Sequence, residues 1–267
     1  MGIYDSSKTR VNPLMDYLKI NNKLHDFLSK LLANKNIIFD FGTINKIKYD
    51  CVGEKTLKPL KDRLLHAIKN FNETTIPEKA LKDFNKKELS ESFKKRKVLL
   101  SAKDNDDIYI EAINYIESNY DKINQGSTHW AILEGFTHPD IFIETTKAYF
   151  IGEAKRTESG PTLETTWSNN RDQLIRHIEP LLKCSKPVFH FMIWEPGDKH
   201  YRKNDDAYMK YFKILDDPKN YVEYLKEQVD LELSYTAEEI ANNYLGHFEW
   251  NKINDMYDNQ INFLDEI

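Results

Sequence analysis

The sequence predicts an α/β fold, a small core in the order helix, three strands, helix, strand, with helical additions at both ends. Three observations predict it. Residues 104 to 123 carry Tyr109, Ala112, Ile113, Ile116, Tyr120 and Ile123 at helical spacing, forming one apolar face. Ile141, Phe142 and Ile143, then Ala148, Tyr149, Phe150 and Ile151, are two short runs with strand-favouring residues, joined by the polar Glu144 to Lys147. Val188 to Trp194 is a long apolar run that stops at Pro196 and Gly197.

The elements follow in order. Pro13 to Leu32, Leu57 to Phe71 and Pro77 to Phe93 carry helical periodicity, so residues 1–100 read as mainly helical. Within them Ile37 to Phe39 and Ile44 to Val52 suggest a small hairpin around Gly42. The core occupies 101–200. Its first helix breaks at Gln125, Gly126 and Ser127, and His129 to Leu133 then reads as the first strand. The two short runs supply the next two strands. Gly160 and Pro161 open a loop, Trp167 to Lys183 reads as the second helix, and Val188 to Trp194 is the last strand. Residues 201–267 form an acidic helical region, with helices over Ala207 to Tyr224 and Ala237 to Phe248.

The chemistry gathers at the strand ends. Pro139 and Asp140 precede one apolar run, and Glu153, Ala154 and Lys155 end the next. Side chains alternate along a strand, so Glu153 and Lys155 share a face and Ala154 takes the other. If the strands are antiparallel neighbours, Asp140 lies beside Glu153. Two carboxylates with water and a phosphate oxygen suit a hard cation such as Mg²⁺, with Ala154 C=O as a further candidate ligand. Lys155 would place an ammonium near the attacking water or the developing charge.

Pro139-Asp140 with Glu153-Ala154-Lys155 resembles the PD-(D/E)XK nuclease superfamily, the restriction-endonuclease-like fold. The resemblance implies that Asp140 and Glu153 bind Mg²⁺ or Mn²⁺, that Lys155 is the catalytic lysine, and that the reaction is hydrolysis of a DNA phosphodiester. Some branches carry a helical glutamine facing the site. Gln173 matches it and is added to the catalytic set, although the tyrosine expected four residues on is His177. Residues four apart share a helix face, so both could face the cleft. Arg171 and Arg176 are candidates for phosphate contact. Members often place a metal-binding acid on the first helix. Glu117 flanks the apolar face and is preferred over Glu111, with Glu134 a further alternative.

Other features bound the reading. Cys51 and Cys184 lack CxxC spacing, so no zinc site is expected and a reducing compartment is. His129, His138 and His190 lack metal-ligand spacing; His190 in an apolar strand reads as a core histidine. No run of about eighteen apolar residues exists, so no membrane partner is expected and the location reads as cytoplasmic. A short lipidation-like pattern, Gly2 with Ser6, is present. The net charge is −5, yet from residue 204 onward fifteen acids face five lysines, so the remainder carries +5. Lys86, Lys87, Lys94, Lys95 and Arg96 form the densest basic segment, placed to track phosphates or to line a solvated helix face. Trp167, in a loop, is a candidate for stacking a base.

The expectation is therefore a Mg²⁺-dependent endonuclease acting on DNA in restriction, phage defence or repair. RNA as substrate and a homodimer are compatible with it. The alternative is a catalytically inactive nucleic-acid- or protein-binding module that keeps the fold, and divalent-metal dependence separates the two.

Overall fold

The structure, a computed structural model, describes residues 6–49, 56–197, 205–228 and 237–265. Gly2, Cys51 and Val52 lie outside the described residues, and with them the lipidation pattern, one thiol and the end of the expected hairpin. A π-helical turn (Ser7–Val11) runs into α1 (Asn12–Ile20) and α2 (Leu24–Asn34), and β1 (Ile44–Tyr49) follows. Next come α3 (Lys61–Lys69), α4 (Glu78–Phe84), α5 (Glu91–Leu99), α6 (Asp107–Asn119), β2 (Ile141–Thr145), β3 (Tyr149–Lys155), α7 (Gln173–Ile178) and β4 (Val188–Trp194). The chain continues with α8 (Asp205–Asp216), α9 (Pro218–Gln228), α10 (Ala237–Asn242), β5 (Tyr244–Glu249) and α11 (Trp250–Asp255).

The protein is α/β, built on a five-stranded mixed sheet in the order β1-β2-β3-β4-β5. The first two pairings are antiparallel, and those of β4 with β3 and β5 are parallel. The chain groups into two compact units, each assembled from separate segments. One comprises Met1–Lys55, His138–Pro161 and Leu181–Ile267, and the other Thr56–Thr137 and Thr162–Pro180.

The sheet belongs to the first unit, and both of its faces are covered there. Ile141, Ile143, Phe150, Ala154, Phe191 and Ile193 share a buried cluster with Leu14, Phe27 and Leu31 of α1 and α2 and with Trp250 and Ile253 of α11. On the other face Trp194 lies against Tyr208 and Phe212 of α8, and His190 bonds the Tyr221 hydroxyl of α9 at 2.8 Å. Strands buried on both faces read as continuous apolar runs, which is why β4 is so plain in the sequence. Gly152 is required where β3 meets β4. A Cβ there would lie 2.6 Å from Phe191 Cζ and 3.0 Å from Ile141 Cβ.

Several expected elements are corrected. The strand preceding β2 in the sheet is Ile44–Tyr49, while His129 to Leu133 forms a turn in the second unit. There Trp130, Ala131 and Leu133 are buried beside Ala112 and Ile116, the Ala131 N–H donates to His129 Nδ1, and Arg96 Nε donates to Trp130 O. An apolar run of that length satisfies a helical cluster as well as a strand. β1, read from the sequence as part of a small hairpin, is an edge strand paired with β2, and its exposed Lys46 discourages further pairing.

Residues 244–248, expected to be helical, are in β5, with Gly246 at φ +105° where the register against β4 shifts. The expected long helices are also shorter. Asn22 at φ +54° separates α1 from α2, and Pro218 starts α9 directly after α8. Asp172 caps α7 through its Oδ1, which accepts from Ile175 N. Helix α7 ends at Ile178, followed by a 3₁₀ turn through Pro180.

Candidate active site

The site grows out of a register. Ile141 of β2 sits opposite Gly152 of β3, so one step outward sets Asp140 opposite Glu153. Beyond the last register pair the Asp140 side chain bonds the neighbouring strand: its Oδ2 accepts the Ala154 N–H at 2.7 Å. The Ser7 hydroxyl approaches Asp140 Oδ1 at 3.4 Å. Glu153 and Lys155 share a face and form an ion pair at 2.8 Å, while Ala154 packs into the opposite face. Both partners are deeply placed, Glu153 at 2% and Lys155 at 5% exposure. The strand end is fixed by two donors to Lys155 O, Glu195 N at 3.1 Å and Trp250 Nε1 at 3.3 Å.

The electrostatics are those of crowded acids. Burial, then the neighbouring Glu153 carboxylate, hold the Asp140 carboxyl well above its ordinary value, against the pull of Lys155 and the Ala154 N–H. Burial opposes the charge on Lys155. Glu153, Glu158 and Asp140 together outweigh it and keep the ammonium above its usual value. Glu158 is a third acid in this field. Its Oε2 accepts from the Arg156 and Thr157 N–H groups at 2.9 and 3.0 Å. Tyr208 of α8 donates to Gly160 O at 3.0 Å, and burial and Glu158 raise its hydroxyl. Beside the strand end, Arg10 grips Glu195 through Nε at 2.8 Å and Nη2 at 3.0 Å, with Arg156 Nε 3.5 Å from the same carboxylate.

Of the residues predicted from sequence, Asp140, Glu153 and Lys155 are brought together, all in the sheet-bearing unit. Gln173 and Glu117 belong to the second unit. Gln173 opens α7, its N–H donating to Thr162 O, and Glu117 is exposed on α6. Glu111 is on the same helix, paired with Lys95 at 2.6 Å. Glu134 is buried and spent on arginines, with Arg176 at 2.7 Å and Arg171 at 3.4 Å. Arg171 is itself buried and also pairs with Glu179, so it offers no open fork for phosphate. His177 does not face an open cleft. It is buried, its Nδ1 2.5 Å from Thr137 Oγ1.

Trp167 packs among Phe71, Phe84 and Phe93 with the Arg96 guanidinium 4.7 Å away. The basic segment is largely compensated within the second unit: Lys86 pairs with Asp83 and Lys94 with Glu91. Ser7, Glu158 and Tyr208 were not anticipated. Only Glu158, three residues after Lys155, carried a readable signal.

The donors suit a hard divalent cation. Asp140 and Glu153 offer only oxygen, the donor that a hard divalent cation prefers. Among the described residues no group of three or more His, Cys, Asp or Glu side chains is placed to hold a metal ion. Mg²⁺ does not require one, since it is held by one or two carboxylates and keeps several waters. No helix of the described residues is long and apolar enough to cross a membrane. Comparison with known proteins identifies no relative: no family model, curated protein or solved structure matches the chain.

Proposed function

We propose that the protein is a metal-dependent nuclease of the PD-(D/E)XK type, hydrolysing DNA phosphodiesters at Asp140, Glu153 and Lys155. One observation carries the reading: the β2–β3 register sets Asp140 opposite Glu153, with Lys155 2.8 Å from that second acid. The sheet supports it: β1, β2 and β3, then α7 and β4, keep the order of three strands, helix and strand expected of the resembled fold. In this reading α2 and β1 open the core, and the segment 56–137 is an insertion between β1 and β2.

Asp140 and Glu153 would hold Mg²⁺ or Mn²⁺, which when bound supplies Lewis acidity and a more acidic water. Asp140 and Glu153 would hold the ion as carboxylates, and Lys155, paired with Glu153 at 2.8 Å, would supply an ammonium to stabilise developing charge and orient the attacking water. Ser7 and the Ala154 N–H hold the Asp140 carboxyl group in place.

The test is cleavage of supercoiled plasmid, single-stranded DNA and RNA with Mg²⁺, Mn²⁺ or EDTA, with Asp140→Asn and Lys155→Gln alongside. Metal-dependent cutting by the wild type and a loss of at least about a hundredfold in both variants is the expected result. Cutting that survives both substitutions defeats the assignment. Metal-independent binding of nucleic acid without cutting would favour the inactive module.

A further inference from the structure

The second unit holds a cavity of about 630 Å³, within the size range of small-molecule sites. Its polar lining includes the cations Arg176 and Lys79 and the hydroxyls of Ser127, Thr165 and Thr166. Trp167 lines it among apolar neighbours. Arg176 belongs to a chain of five buried or half-buried charges. It pairs with Glu134, which pairs with Arg171, which pairs with Glu179, which pairs with Arg63. Arg171 Nη1 is buried with no hydrogen-bond partner. Arg176 spends its Nε on Glu134, but its Nη2 reaches only Gly135 O, at 3.4 Å. Of the two acids in the lining, Asp83 is engaged by Lys86 at 2.7 Å, and Glu164 is exposed.

A half-buried guanidinium with its outer fork loosely held suits phosphate oxygens. Hydroxyls in the lining supply further donors. Trp167, Ile132 and Leu133 in the lining offer apolar surface of the kind a base or sugar covers. We infer that this cavity binds a nucleoside monophosphate, with the phosphate on Arg176 and Lys79 and the nucleoside on the apolar wall. The same chemistry is presented by a free nucleotide and by the 5′-phosphorylated end of a strand. The inference does not depend on the nuclease reading, since every residue in it belongs to the second unit.

The experiment is calorimetric titration of the full chain in EDTA with AMP, adenosine, and a tetranucleotide with or without a 5′-phosphate. Arg176→Gln, Lys79→Glu and Asp140→Asn are run beside the wild type. AMP should bind about tenfold more tightly than adenosine, the worth of one charge-assisted contact. Each of the first two substitutions should remove most of that preference, and Asp140→Asn should leave it intact. Lys79 is exposed, so its variant tests the site even if Arg176→Gln disturbs the fold. Tighter binding of the phosphorylated tetranucleotide than of AMP assigns the site to strand ends, and the reverse assigns it to free nucleotide. No binding of any phosphorylated probe at millimolar concentration overturns the inference. So does equal affinity for AMP and adenosine, or a preference untouched by both cavity variants.

Discussion

Replacing Lys155 by methionine removes the partner of a carboxylate that has almost no access to water. Glu153 is 2% exposed, and the Glu153–Lys155 pair is closed at 2.8 Å. Breaking a buried ion pair from one side typically costs about 3–5 kcal/mol. A second bound limits the cost, because a stranded carboxylate escapes by taking up a proton. From an ordinary carboxyl pKa of about 4.3 to pH 7, that escape costs about 3.7 kcal/mol at 1.36 kcal/mol per unit. The two bounds overlap at about 3–4 kcal/mol, or roughly 6–15 °C in Tm for a chain of this size.

At pH 5 the cap falls to about 1 kcal/mol, and the gap between variant and wild type should shrink to roughly 2–4 °C. The assay is thermal unfolding by circular dichroism in EDTA at both pH values. The double substitution Glu153→Gln with Lys155→Met should recover most of the loss, since replacing a whole buried pair is often close to neutral. A Lys155→Met protein within about 2 °C of wild type at pH 7 would refute the reasoning, as would a gap that does not change with pH.

The remaining predictions concern stability too. The Asp140 carboxyl is held above its ordinary value, so the native state keeps a proton that the unfolded chain has lost, and stability falls as pH rises from about 3.8. Asp140→Asn should therefore melt above the wild type at neutral pH, with the advantage gone below pH 3.8; equal melting at both ends would contradict the crowding of acids. His190 runs the other way. Burial depresses it from 6.5 to about 3, so stability present above pH 6.5 is lost at up to about 1.4 kcal/mol per unit as pH falls through that window. Relative to His190→Gln, wild-type urea midpoints should drop across it, and parallel curves would refute the assignment. Gly152→Ala must push its new methyl into the Phe191 ring and should cost about 1–3 kcal/mol by urea unfolding. A neutral result would mean that β3 and β4 are less tightly apposed than the register requires.

What was legible in the sequence was whatever a period of two could carry. The apolar runs of β2, β3 and β4 were readable because they are buried on both sides, and the alternation in Glu153-Ala154-Lys155 fixed which side chains share a face. The sequence marks Ile44 to Val52 as a hairpin arm but does not show its partner. Neighbours in sequence usually pair, which makes His129 to Leu133 the expected first strand of the core. The chain instead leaves the sheet after β1, spends residues 56–137 in the second unit, and returns to pair β2 with Ile44–Tyr49. Arg171 and His177 are spent for a related reason. Each has the chemistry of a ligand-binding group, but partners from distant segments absorb it, as Glu179 and Thr137 do here.

The same contrast explains how the candidate site tolerates its own unfavourable charges. Asp140, Glu153 and Lys155 are placed by backbone geometry, through the Ala154 N–H bond to Asp140, a β3–β4 ladder that runs past Gly152 to Lys155, and a strand end tied to Glu195 and Trp250. Such placement does not depend on the acids attracting one another, which they do not: burial and the Glu153 carboxylate both raise the cost of ionising Asp140. A group held against its own electrostatics by a packed sheet is ready for a charge that it lacks. The unfavourable energy stored at Asp140 is then the quantity a divalent cation would release on binding, so Mg²⁺ should raise the melting temperature of the wild type at neutral pH and leave Asp140→Asn nearly unmoved. A rise of equal size in both proteins would place the ion elsewhere.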